Sequence, residues 1–384
     1  VSHLEPAKPG AGRLATAALA ALVVALLVGA FWWTGRDGDP QQATAPDPSA
    51  TASGPPAATE SAGRTGADDP TRATRPADPA PSDLPVIPEL PKDARVVVVS
   101  IDGLASYAVT EELTPVLKGL LDSGAGTLNA RTAVEMTVTL PNHTGMVTGR
   151  PILTALGGHG VTWNDPTSQN VRSGVDSVFT TIAAAGGESA VFTGKEKFEM
   201  WGRSWPGTID ELVVDESLDA LTDATVTDLQ QHRRDLVFFH IAETDVAGHA
   251  HGWGSPAYED AVRRADSALG QVVQTIEADP RRARETIVVV TADHGGLRGQ
   301  KRHGDAGAAE DYTIPFVVWG PGVVHGDLYR LNADDYADPG SGQPSYDGPR
   351  PVRNASVANL VTRLLGLGAV PGSLIDTDQD LDLR

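Results

Sequence analysis

Four short apolar runs constrain the fold more than any other feature of this sequence. They are "RVVVVS" from Arg95, "DLVFFHI" from Asp235, "TIVVVT" from Thr286 and "IPFVVWG" from Ile314. Each is continuous rather than alternating, so each predicts a strand buried on both faces, as in a mostly parallel sheet covered by helices. "SAVFTG", from Ser189, reads as a further strand. Helical patterns lie between the runs. In "SPAYEDAVRRADSALGQVVQTIEAD", Tyr258, Val262, Ala265, Leu269, Val272 and Ile276 recur at helical spacing behind a Ser-Pro start. "TPVLKGLLDSG", "SVFTTIAAAGG" and "ASVANLVTRLLGLG" each close with Gly after the last apolar turn. The alternation predicts an α/β fold, a doubly wound three-layer α/β/α sandwich over residues 93–384. Its site is expected beyond the carboxyl ends of the strands.

The residues that follow the strands point to metal chemistry. Asp102 follows the first run, Asp245 the second with His249 four residues on, and Asp293 with His294 the third. One Asp at a strand end is ordinary turn chemistry. Carboxylates and imidazoles brought to one edge by three strands repel and desolvate one another unless a cation holds them. His303, in the polar loop "RGQKRHGDAG" before the fourth run, offers one more ligand. The set then divides into Asp245, His249 and His303 around one ion and Asp102, Asp293 and His294 around a second. Each triad leaves a position open, as catalytic sites do. Oxygen and nitrogen donors suit zinc, manganese or iron, and the imidazole share favours two Zn2+. The chain has no Cys, which excludes disulfides, thiolate sites and a Cys nucleophile.

The first ninety or so residues read differently. "LATAALAALVVALLVGAFWW", within residues 14–34, is about 20 uncharged, mostly apolar residues, the length of a membrane-spanning helix. Lys8 and Arg13 precede it, and Trp32 and Trp33 stand where an interfacial belt belongs. This predicts a single-pass signal anchor with residues 1–13 cytoplasmic and the remainder extracytoplasmic. The alternative is a secretory signal cleaved after Val28-Gly29-Ala30. Residues 35–92 are Ala, Pro, Thr, Ser, Gly and Asp with scarcely a large apolar side chain, a composition that predicts a disordered stalk. The formal charge of −20 argues against duplex nucleic acid as a partner.

"EMTVTLPNHTGMVTGR", residues 135–150, has neither helical nor strand periodicity. Read alone, its Thr, Pro and Asn are turn formers, and Thr139 is either a turn residue or a nucleophile. The surrounding motifs bear on the choice. "VVVVSIDGL", "TLPNHTGMVTG", "GGHGVTWN", "AETDVAGHAHG", "VVVTADHGG" and "RHGDAG" resemble, in order and content, those of the alkaline phosphatase superfamily. The match is with its nucleotide pyrophosphatase/phosphodiesterase (type I phosphodiesterase) branch, over residues 95–367. The resemblance implies a central mixed β-sheet flanked by helices, two zinc ions and a threonine nucleophile. Carried onto this chain, it implies that Thr139 attacks phosphorus and also ligates the ion held by Asp102, Asp293 and His294. Asn164, closing "HGVTWN", matches the asparagine that donates to a non-bridging phosphoryl oxygen. His143 and His159 read as structural members of their motifs, and His251 as the rival to His249.

The expected function is extracytoplasmic two-metal hydrolysis of a small phosphoester, a nucleotide among the candidates, through a phosphothreonine intermediate. Phosphomonoester or phosphonate hydrolysis is the alternative; phosphoethanolamine-type transfer and a non-catalytic binding domain are the remaining rivals. A sulfatase builds formylglycine from Cys or Ser in a C/S-x-P-x-R context, whereas here His143 holds the Arg position. In "TGKEKFEMWGRSWPG", Lys195 and Lys197 resemble substrate-contacting lysines of some phosphonate and phosphomonoester hydrolases, and Trp201 and Trp205 are candidate nucleobase stackers. Solvated lysines and rim tryptophans are the plain alternative.

Overall fold

The computed structural model describes residues 89–305 and 307–384. The expected N-terminus, membrane span and nearly all of the stalk lie outside the described residues. Among those described, no helix is long and apolar enough to cross a membrane. Leu90 packs against the core, so the folded domain begins slightly before the boundary read at residue 93.

In chain order the strands are β1 (Arg95–Ile101), β2 (Ala125–Arg131), β3 (Ser189–Thr193), β4 (Glu211–Val214), β5 (Leu236–Ile241), β6 (Thr286–Thr291), β7 (Thr313–Trp319) and β8 (Gly326–Asp327). They form one sheet in the order β4-β3-β5-β1-β6-β7-β2-β8. β1, β5 and β6 are buried along their whole length, as continuous apolar runs require. The sheet is mostly parallel, as expected, and "IPFVVWG" supplies its antiparallel member: β7 runs antiparallel to both β6 and β2. Burial on both faces fixes the apolar run but not its direction. The connection from β6 returns along the same edge without a crossover helix, so β7 must run back. β2, "AGTLNAR", carries Gly126 and Asn129 and shifts register between Thr127 and Ala130, and so lacks a strand-like pattern.

The principal helices are α1 (Pro115–Ser123), α2 (Thr139–Thr148), α3 (Val178–Ala184), α4 (Leu218–Gln231), α5 (Glu243–His251), α6 (Pro256–Glu277) and α7 (Val357–Leu364). α1, α4 and α5 pack on α6, while α2 and α3 pack on α7. All six periodic positions read in α6 are buried, behind Ser255, whose side chain accepts from the Tyr258 N–H. The stretch without periodicity holds the ten-residue helix α2, every residue of which is buried. A helix enclosed on all sides shows no apolar stripe. Its start is fixed by Asn142, whose amide donates to the Met136 and Val138 carbonyls and accepts from the Ala133 N–H. Gly149, at φ 62°, ends it in the left-handed conformation.

Helix α1 has Pro115 in its first turn and no cap from Thr114. Asp266 of α6 supplies one from across the packing interface, accepting from Val116 N at 3.0 Å and Leu117 N at 2.9 Å. Asp266→Ala would orphan both donors at a buried helix junction. We expect a loss of about 1–3 kcal/mol in unfolding free energy by urea titration, with Asp266→Asn losing less.

Candidate active site

The strand directions place the carboxyl ends of β1, β3, β5 and β6 and the start of β7 on one edge. Asp102 leaves β1, Asp245 sits in the first turn of α5 after β5, and Asp293-His294 follow β6. Gly103 makes their approach close. Its N–H donates to Asp293 Oδ1 at 3.0 Å, and its carbonyl accepts from Trp253 Nε1 and Tyr258 Oη. At φ +71°, with any Cβ only 3.1 Å from the Asp245 backbone, this position favours glycine twice over.

Each of the three carboxylates has one oxygen anchored and one left over. Asp102 Oδ2 meets His240 Nε2 at 2.9 Å and Lys195 Nζ at 2.7 Å. Asp245 Oδ2 takes the same ammonium at 2.6 Å, and Asp293 Oδ1 holds the Gly103 N–H. Asp102 Oδ1, Asp245 Oδ1, Asp293 Oδ2 and His294 Nε2 are buried with no hydrogen-bond partner. These orphaned atoms converge: His294 Nε2 lies 3.5 Å from Asp102 Oδ1, 3.7 Å from Asp245 Oδ1 and 3.2 Å from Asp293 Oδ2. Buried carboxylate oxygens facing an unpaired imidazole nitrogen are the donor set a divalent cation requires. The residues fit a metal.

Two groups meet ligand spacing, Asp102 with Asp293 and His294, and Asp245 with His294 and His303. The first is the expected triad. In the second, His294 stands where His249 was expected, and the His294 and His303 rings stack at 3.5 Å between centroids and 7° between planes. His249 remains beside them at the more open rim, its Nε2 3.3 Å from Asp245 Oδ1 and 3.2 Å from His303 Nε2. His303 is fixed from behind by its Nδ1, 2.5 Å from the Thr137 carbonyl. His251 is exposed and outside both groups.

The charges behave as a cation site would require. Burial and the neighbouring Asp102 charge push the Asp293 carboxyl well above the usual carboxylate range. Burial acts on Asp102 likewise, but Lys195 and His240 hold it well below that range. Burial lowers His294, and burial with His294 nearby takes His303 down to about 2. Both shifts favour the neutral ring, the form that ligates metal.

Thr139 is buried at the start of α2. Its carbonyl lies 2.9 Å from His143 Nδ1, and that nitrogen is 3.5 Å from Asp293 Oδ2, which puts the threonine beside the Asp293 group. His143 Nε2 pairs with Ser100 Oγ, and His159 accepts from the Val161 N–H, so both belong to the scaffold. Asn164 Oδ1 accepts from the Leu140 N–H at 3.0 Å, one residue past Thr139. Lys195 is engaged with the carboxylates. Lys197 feels the same cluster, with burial and Lys195 lowering its pKa. The stacking role considered for Trp201 and Trp205 is corrected: both are core residues packed on Phe179, and Trp205 donates to the Val175 carbonyl. His240, inside an apolar strand, escaped the sequence reading because nothing distinguishes it from a packed core residue.

A model of the type I phosphodiesterase/nucleotide pyrophosphatase family matches residues 96–312, more than half of the chain and all of both ligand groups. The chain belongs to this family. GPI ethanolamine phosphate transferase 1 of Mus musculus is 28% identical over 134 residues, which is 34% of this phosphodiesterase-family chain and 14% of the transferase. The chain spans about one seventh of the length of the curated relatives it matches. Among solved structures, murine ectonucleotide pyrophosphatase/phosphodiesterase 5 superposes with a TM-score of 0.58 at 15% identity, covering 75% of this chain and 99% of that one. The lipoteichoic acid synthase LtaP of Listeria monocytogenes gives 0.55 at 15% identity and 77% of both chains. At such identities the likeness is one of fold, the alkaline phosphatase-like α/β fold.

The chain thus belongs to a family of the alkaline phosphatase superfamily, and its two buried Asp/His clusters have the donor set for a binuclear metal site. Elemental analysis of purified protein should find about two divalent ions per chain. Chelation should lower the melting temperature, because the buried carboxylates lose their counter-charge.

Proposed function

We propose that this chain hydrolyses small phosphoesters, of the diester or nucleotide pyrophosphate type, through a phosphothreonine on Thr139. The observation that carries the reading is the placement of Thr139 beside the Asp293 group, its carbonyl meeting the same His143 nitrogen that faces the orphaned Asp293 Oδ2. Asp102, Asp293, His294 and Thr139 would hold one ion and Asp245, His249 and His303 the other, zinc being the metal that suits this donor set. Such ions supply Lewis-acid stabilisation of the phosphoryl oxygens and leaving group and lower the pKa of the nucleophile.

The chain's own residues do the rest. The start of α2 carries Thr139, and Asn142 ties down the backbone that leads into it. Its oxygen forms the bond to phosphorus as the leaving oxygen departs from the opposite side, and water then breaks the Thr139–phosphorus bond. Asn164 has its carbonyl oxygen committed to Leu140, which leaves its amide N–H groups to donate to a phosphoryl oxygen. Lys197 adds positive charge at the same mouth. A structure of inactive murine ectonucleotide pyrophosphatase/phosphodiesterase 5 in complex with AMP supports a nucleotide as one ligand class.

Thr139→Ala should leave the Asp and His ligands in place and lower turnover by about 10³-fold or more, while Thr139→Ser keeps part of the rate. Two in-line displacements retain configuration at phosphorus. Inversion, or near-normal turnover in Thr139→Ala, would remove Thr139 from the reaction. The matched segment of GPI ethanolamine phosphate transferase 1 favours a second reading, transfer of the phosphoryl group to an alcohol. Product analysis with water and an added alcohol as competing acceptors separates the two, since a transferase forms the new ester in preference to free phosphate ester.

The N-terminal apolar run supports an extracytoplasmic location for this domain, with the chain anchored by residues 14–34. Protease added to intact cells should then release active domain by cutting within residues 35–88. A mature protein beginning at Phe31 would show a cleaved signal instead.

A further inference from the structure

His240 is fully buried in β5 against Phe198 and His143, yet both of its ring nitrogens are engaged. Sheet register accounts for one partner. His240 pairs across the sheet with Thr193 of β3 on one side and Ser100 of β1 on the other, and in-register side chains share a face. Its Nδ1 lies 3.0 Å from Thr193 Oγ1, and its Nε2 lies 2.9 Å from Asp102 Oδ2.

The hydroxyl of Thr193 bears on which nitrogen carries the proton. Its oxygen accepts from the Lys195 backbone N–H at 3.3 Å. Its own hydrogen has two candidate acceptors, His240 Nδ1 at 3.0 Å and the Lys195 carbonyl at 3.5 Å, and the nearer is the better hydrogen bond. With Nδ1 accepting, the ring carries its hydrogen on Nε2 and donates it to Asp102 Oδ2. That oxygen also takes the Lys195 ammonium. Asp102 Oδ1 is left without a partner.

We propose that His240, in the tautomer set by Thr193, is a positioning residue that pins Asp102 Oδ2 and thereby dedicates Asp102 Oδ1 to a cation. The inference rests on the two-metal reading of the site. It assigns the Thr193–His240 pair to the ion held by Asp102, Asp293 and His294 and not to the ion held by Asp245 and His303. Second-layer partners of this kind typically change metal affinity by about 10–100-fold.

The test compares His240→Asn, His240→Gln and Thr193→Val by chelator competition for Zn2+ and by the visible spectrum of Co2+-loaded protein. Asn places its amide near the Nδ1 position, keeping Thr193 and losing Asp102; Gln reaches the Nε2 position and keeps the bond to Asp102. We expect His240→Asn to weaken one of two metal equivalents by about 10–100-fold with an altered Co2+ spectrum, and to leave the other unchanged. His240→Gln should recover most of that affinity. Thr193→Val, nearly isosteric, should weaken the same equivalent by a smaller factor, and it carries the test if His240→Asn does not fold. Wild-type affinity for both equivalents in His240→Asn and Thr193→Val would overturn the proposal. So would equal weakening of both equivalents in His240→Asn and His240→Gln, the mark of a purely structural role. A wild-type protein that takes up no metal would instead defeat the two-metal reading on which the inference rests.

Discussion

Three carboxylates buried at one edge of a sheet are the constraint on which this structure turns. Each resolves it in the same way, giving one oxygen to a fixed donor and turning the other toward His294. The donors are a backbone N–H for Asp293, a lysine for Asp245, and a histidine with that same lysine for Asp102. Desolvation alone would cost several kcal/mol per charge. Lys195 offsets part of this by bridging the two ligand groups, and the carboxylate oxygens left over carry charge that a cation would neutralise. Much of the surrounding architecture follows from holding these groups still: the glycine at 103, the indole and phenol that grip its carbonyl, and the threonine carbonyl behind His303.

Gly103 also illustrates how close the fold brings chain segments that are far apart in sequence. Its backbone touches Asp293 through a hydrogen bond and Asp245 through direct packing. A side chain there would press on one ligand while disturbing the hydrogen bond to another. The Asp-Gly pair is thus a turn and a packing contact at once, which is why a strand-end Asp-Gly, unremarkable alone, matters in this setting.

The sequence exposed the parts of this design that depend on residue type at the ends of apolar runs. β1, β5, β6 and β7, and the Asp and His residues that follow the first three, were legible because a buried strand must be apolar and a metal ligand cannot be. Four features were hidden for definite reasons. The helix at Thr139 has no exposed face, so it has no period. β7 is buried on both sides in either direction, so its composition says nothing of its orientation. Trp201 and Trp205 are large and close to two lysines, yet packing against Phe179 explains them. His240 acts through hydrogen bonds set by sheet register, which the linear sequence does not display. The sharing of His294 between ligand groups is likewise a matter of distance: its ring stacks on His303, while His249 stays at the rim.

The antiparallel course of β7 carries a consequence for biosynthesis. Because the chain doubles back after β6, the loop with His303 reaches the site only when β7 has found its place between β6 and β2. Synthesis delivers Asp102 early and His303 some two hundred residues later, and polypeptides fold as they emerge from their N-terminal end. An unfinished chain can therefore build the central strands but not a complete ligand set. The full ligand set is assembled late, when β7 takes its place in the sheet.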